Sequence, residues 1–131
     1  MFKFIPLLIL AALTNLCSRN ETAWAYGGAD RLWDLQEING VPFPATTTLS
    51  FLDAETIAIQ GPCNRITASN TVPYPWVTLT IISSTKMFCP DLQYEKSLTN
   101  ALIRTTIIEI LDDVMILSNT ENLNMVFIAA D

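Results

Sequence analysis

The chain has 131 residues, half of them hydrophobic, with a formal net charge of −6 and no histidine. That length fits one domain, and the acidic balance disfavours phosphate backbones, so no nucleic-acid binding is expected. The missing histidines remove the usual Ser-His and Cys-His nucleophile systems and most transition-metal sites.

The first element is a leader. Lys3 precedes an apolar run from Phe4 to Leu13, and a more polar stretch ends at Ala23-Trp24-Ala25. A basic start, a short apolar core and a small-x-small site make a secretory signal peptide. Residues 1–25 are therefore expected to be removed by cleavage after Ala25, leaving a domain over 26–131. The apolar run, about ten residues, is too short for a permanent bilayer span. The alternative is lipid anchoring through Cys17, which closely follows the apolar run. Leu16 in front of it is large where such a signal wants a small residue, so simple cleavage into a periplasmic or secreted form is preferred.

The rest of the chain reads as short strands around one helix. Leu32–Ile38 forms a first strand closed by the turn pair Asn39-Gly40. Thr47–Leu52 alternates, as do Thr56–Gln60 and Val77–Ile81, and period-2 runs rich in Thr, Ile and Val are strand signals. Asp53-Ala54-Glu55 and Pro73-Tyr74-Pro75 are turn material. Over Asp91–Arg104 the period changes. Tyr94, Leu98, Ala101 and Leu102 give the i, i+4, i+7, i+8 stripe of an amphipathic helix, with Pro90 and Asp91 suited to its first turn and Arg104 to its last. Ile107–Leu111 and Val114–Leu117 flank Asp112-Asp113 as a hairpin, and Met125–Ala129 closes the chain. Five or so strands, a helix and three strands carry no βαβ alternation. The expected fold is α+β, a curled antiparallel sheet wrapped on one helix.

Three features bear on chemistry. Four glycines supply no phosphate loop and no dinucleotide fingerprint, and no Cys-x-x-Cys pair is present. Cys63 and Cys89 form an even pair in an exported chain, where a disulfide is the default. The alternative is a redox-sensing thiol at Cys89, near a helix start that lowers its pKa. Asp112 and Asp113 are the densest acidic cluster, but adjacent side chains in a turn diverge, so they read as a solvated turn.

Together the motifs resemble a known family. Trp33 and Leu35 are followed by Asn39-Gly40, then by a Gly-x-Cys-Asn-Arg segment at Gly61, Cys63, Asn64 and Arg65. Next come Thr85-Lys86-Met87, Cys89 and Pro90, with a helix directly after that has Glu95 near its start. This resembles the META domain family, the HslJ-like heat-shock and envelope proteins, over roughly Leu32 to Ala129. The chain departs from the family pattern at Pro62, where glycine is usual, at Ile66, where an aromatic residue is frequent, and at Tyr74-Pro75-Trp76. The resemblance implies a half-open β-barrel of about seven to eight strands on one helix. It also implies stress response and envelope integrity rather than catalysis, with no cofactor.

Residue by residue, Asn64 is expected to satisfy backbone groups in a turn and Arg65 to pair with a carboxylate. Lys86 reads as a solvated strand end. Trp33, Trp76 and Tyr94 are expected in or beside the core. Tyr74 and Trp76 are also the best candidates for a recognition patch, since aromatics in a proline-rigid turn cost little entropy to present. The resulting expectation is a monomeric, non-enzymatic, stress-associated module of the bacterial envelope without a transmembrane helix in its mature form. It would contact another envelope protein through a strand edge or the Tyr74–Trp76 turn. Alternatives are a small apolar ligand or lipid in a barrel cavity lined by Leu98 and Leu102, and a thiol-based redox sensor.

Overall fold

Alternating side chains build one sheet. The structure, a computed structural model, describes residues 21–130. In β1 (Leu32–Ile38) Trp33 and Leu35 are buried while their neighbours are more open. The same two-residue rhythm buries Leu49 and Phe51 in β3 (Thr48–Phe51) and Ile66 and Ala68 in β5 (Arg65–Ser69). It recurs at Met115 and Leu117 in β8 (Val114–Ser118), and at Met125 and Phe127 in β9 (Asn124–Ala129). A strand points alternate side chains to opposite faces, so each contributes one inward row.

With β2 (Val41–Pro42), β4 (Thr56–Gln60), β6 (Thr80–Ser84) and β7 (Ile107–Leu111), the spatial order is β6-β5-β4-β3-β1-β9-β8-β7, and β2 pairs with β1. Every pairing is antiparallel. The curled sheet is the half-open barrel anticipated from the family motifs. The Asn39-Gly40 turn has positive φ at both residues, the conformation that a two-residue hairpin demands.

One helix, α1 (Leu92–Ile103), supplies the core's other wall. Leu98 and Leu102 are 0% exposed and Ala101 is buried beside them. Burying a leucine contributes roughly 1.5–3 kcal/mol, so the helix is held by this stripe. The fourth buried position is Glu95. Tyr94, expected on the apolar face, is half-buried.

Three sheet elements differ from the sequence reading, one of them the two-residue β2, which no alternation announces. Arg65–Ser69 was not expected to be a strand, because its inward row is only Ile66 and Ala68 and it begins inside the cysteine motif. Val77–Ile81 was expected to be one strand, but β6 begins at Thr80. The preceding residues cross to the far sheet edge instead. Val77 N–H donates to Thr106 O (3.1 Å), Ile108 N–H donates to Pro75 O (2.8 Å), and Trp76 bridges to Ile107. The segment leading into one edge strand thus caps the other, and the curl is drawn toward closure.

The chain enters through a wide turn at Trp24–Gly28. Gly28 N–H donates to Ala23 O (2.9 Å) and Ala29 N–H to Trp24 O (3.2 Å). Ala23 belongs to the hydrophobic core and Trp24 packs against it.

Candidate functional site

The two cysteine motifs meet at one end of the barrel. β4 ends at Gln60, and Gly61-Pro62-Cys63-Asn64 turns the chain into β5, with Gly61 N–H donating to Asn64 O (2.9 Å). Opposite runs the segment from Thr85 to Pro90, which joins β6 to α1. Cys63 and Cys89 are bonded through their sulfurs, with Cα atoms 5.7 Å apart. The bridge ties the β4–β5 turn to the start of the helix.

Beneath the disulfide lies a closed polar cluster. Glu95, in the first turn of α1, points under the turn. It accepts the backbone N–H of Cys63 (3.1 Å), the backbone N–H of Asn64 (2.5 Å) and the Asn64 side-chain amide (2.7 Å to Oε2). The Asn64 amide also reaches Met87 O at 3.4 Å. Asn64 Oδ1 accepts from Met87 N–H (2.7 Å) and from the Thr85 hydroxyl (2.8 Å). Thr85 Oγ1 in turn accepts Arg65 N–H (3.0 Å).

A buried carboxylate persists when its oxygens are fully hydrogen-bonded, and the positive end of the helix adds to its stabilisation. No buried side-chain N or O among the described residues lacks a partner. Gly61 closes the packing, since a Cβ there would stand 2.5 Å from Glu95 Oε1 and 3.0 Å from Asn64 O.

The singled-out residues among those described now have places, with Pro90 exposed just before α1. Gly61, Cys63, Asn64, Thr85, Met87 and Cys89 form the clasp. Asn64 does satisfy backbone groups, but across the barrel end rather than within its own turn. Arg65 and Lys86 are exposed, and Arg65 joins no ion pair among the described residues. Among the described residues an ion pair forms between Arg31 and Asp113 at 2.7 Å, with Arg31 also donating to Asp112 O and lying over the Trp33 ring. Asp112 and Asp113 occupy the β7–β8 turn.

Tyr74 is half-buried. Its ring stacks on Tyr26 with centroids 4.3 Å apart, and its hydroxyl accepts Ile110 N–H at 3.0 Å. Trp76 is 57% exposed and so is not a core residue. Cys17 lies outside the described residues.

Glu95 was missed as the centre of this cluster. The available signal was its register: Glu95, Leu98 and Leu102 fall at i, i+3 and i+7, one face of a helix. A carboxylate on an apolar stripe needs partners, and the cysteine motif supplies them.

Leu98 and Leu102 are packed inside the hydrophobic core. An apolar groove lies outside the barrel, between the β1–β2 hairpin and α1, with a volume of about 610 Å³ lined by Ile38, Val41, Phe43, Tyr94, Ala101 and Arg104 among others. Among the described residues no helix is long and apolar enough to cross a membrane.

Comparison with known proteins agrees with this architecture. A DUF4847 family protein from Bacteroides vulgatus superposes with a TM-score of 0.65 at 12% identity, covering 79% of this chain and 94% of that one. A protein from Burkholderia xenovorans superposes with a TM-score of 0.62 at 22% identity, covering 82% and 87%. At such identities the likeness concerns the fold alone. No curated protein matches the chain significantly in sequence. The META domain model matches residues 29–131, and with the Cys63–Cys89 clasp seated on Asn64 at the barrel end, the chain belongs to the META domain family.

Proposed function

We propose that this META-domain protein is a non-enzymatic, exported binding module of the bacterial envelope, associated with stress, that holds another envelope protein against the exposed side chains of Met87 and Phe88 in the β6–α1 connection. The observation that carries this reading is Phe88, which is 92% exposed on a segment fixed at both ends. On one side the Met87 N–H and C=O are bonded to Asn64, and on the other Cys89 is in the disulfide.

A large apolar ring on an immobilised backbone has little further entropy to lose on binding, and rigid aromatics dominate interface energetics. Met87 and Ile82 are also exposed. Arg65 and Lys86 add two cations beside the patch on an otherwise acidic chain. The fitting partner surface is therefore an apolar pocket with a carboxylate at its rim.

Ile82 is the extra residue of a bulge in the β5–β6 pairing. Such a bulge blunts an edge against indiscriminate strand addition, so the contact runs through side chains. The closed polar cluster supports a structural rather than catalytic role for the motif. The disulfide supports export, since such bonds persist in oxidising compartments.

A second reading rests on the external groove. A small amphipathic molecule would lay its apolar part on Ile38, Val41 and Phe43 and its anion near Arg104. A thiol sensor is the third, in which a Cys63→Ser variant loses function without losing stability.

The test is a photo-crosslinking residue placed at 88 in the native host, with one at exposed Lys96 as control. One discrete adduct from position 88 and none from 96, together with loss of complementation by Phe88→Ser at unchanged stability, is the expected result. Full complementation by a Met87→Ser, Phe88→Ser double variant sinks the reading.

A further inference from the structure

We infer that Glu21–Gly28 is part of the mature domain, and that the cut releasing the leader falls before Glu21 rather than after Ala25. The inference rests on the export reading above.

The small-x-small site Ala23-Trp24-Ala25 looks like a peptidase signal, but its residues are built into the fold. Ala23 is 3% exposed within the hydrophobic core. Its carbonyl accepts Gly28 N–H, and Glu21 O accepts Tyr74 N–H at 2.8 Å. The Thr22 hydroxyl accepts Ala25 N–H at 3.1 Å. Cleavage after Ala25 would remove all of these acceptors, leaving the half-buried Tyr74 without its backbone partner.

The residues just after the site are shaped to hold the turn. Gly27 has φ 121, a conformation other residues rarely adopt. At Gly28 a Cβ would meet Phe51 at 2.6 Å and Ala23 O at 2.8 Å. Gly28 O accepts the indole N–H of the fully buried Trp33 at 3.3 Å. A turn that docks the central tryptophan, closes on Ala23 and stacks Tyr26 on Tyr74 is a structural element of the domain, not the frayed remnant of a cleaved leader. The processing step is the hydrolysis of one peptide bond between Leu13 and Glu21, with water supplying the new carboxylate and the new amine.

The experiment is the intact mass of the protein purified from its native host, for the wild type and for Ala23→Asp expressed from the full-length gene. A wild-type chain whose first residue lies between Thr14 and Glu21, whether or not it carries a lipid-sized addition on Cys17, is the expected result. The A23D protein should then carry its substitution in the mature mass and melt at least about 5 °C lower, because a charge has entered the core. If A23D does not accumulate, Ala23→Ser gives the same mass readout. A mature chain from Tyr26 to Asp131, with neither substitution visible in its mass, overturns the proposal while leaving export intact. An uncleaved chain from Met1 overturns the export reading and the proposal with it, and the two failures differ by the mass of the leader.

Discussion

Replacing Glu95 with alanine removes the acceptor for three donors at once: the backbone N–H groups of Cys63 and Asn64 and the Asn64 amide. Each buried donor left without a partner costs about 1–3 kcal/mol, and water entering the vacated space recovers part of that. A loss of about 3–5 kcal/mol is expected, a large share of the roughly 5–15 kcal/mol that holds a domain together.

Glutamine separates hydrogen bonding from packing. Its carbonyl can keep the two backbone donors, but its amide then faces the Asn64 amide, donor against donor. Asn64 cannot turn round to relieve this, since its Oδ1 already accepts from Met87 N–H and Thr85. Glu95→Gln should therefore cost about 1–2 kcal/mol. The assay is urea unfolding of the oxidised protein, read as a shift in midpoint at constant slope. An alanine variant within about 1 kcal/mol of wild type, less than one lost buried hydrogen bond, or a glutamine variant as damaged as the alanine one, would refute the argument that these hydrogen bonds hold the clasp.

Further outcomes follow from the same geometry. Reducing Cys63–Cys89, or replacing both with serine, reopens a loop spanning a sequence separation of 26 and should lower stability by about 3.5 kcal/mol in the chain-entropy model, measurable by urea unfolding with and without reductant. Gly61→Ala drives a methyl into Glu95 Oε1 and the Asn64 carbonyl and should cost about 1–3 kcal/mol, whereas alanine at Gly40, where a Cβ meets nothing within 4 Å, suffers only from its positive φ; paired melting curves compare them.

The Asp53 carboxyl is held below its ordinary value of 3.8, first by the Glu55 backbone N–H and then by the Thr56 side chain. A depressed folded pKa means that its contribution is present above the ordinary value and is lost as pH falls through the lower folded one. The stability gap between wild type and Asp53→Asn should therefore shrink on going from about pH 6 to about pH 3, as followed by urea midpoints; a gap that widens on acidification reverses the sign of the argument.

Much of the fold was legible in the residues because its signals are local. The alternation at Leu49–Phe51 reports one buried face, the turn pair Asn39-Gly40 reports a hairpin, and Leu98, Ala101 and Leu102 report a helix stripe. The pairing of Cys63 with Cys89 followed from counting thiols in a chain expected to be exported.

What remained hidden depends on contacts distant in sequence. Arg65–Ser69 is a strand because β4 and β6 pair with it on both sides, which its sparse inward row does not announce. Trp76 is exposed because Pro75 to Val77 seal the edge of β7, a role invisible in a Tyr-Pro-Trp triplet. Composition and periodicity determined the class of this protein, since burial period is a property of neighbouring residues. Only tertiary structure decided that a glutamate 31 residues from Asn64 is the keystone of the cysteine motif, because a buried charge is tolerable solely where the fold brings its hydrogen-bond donors to it.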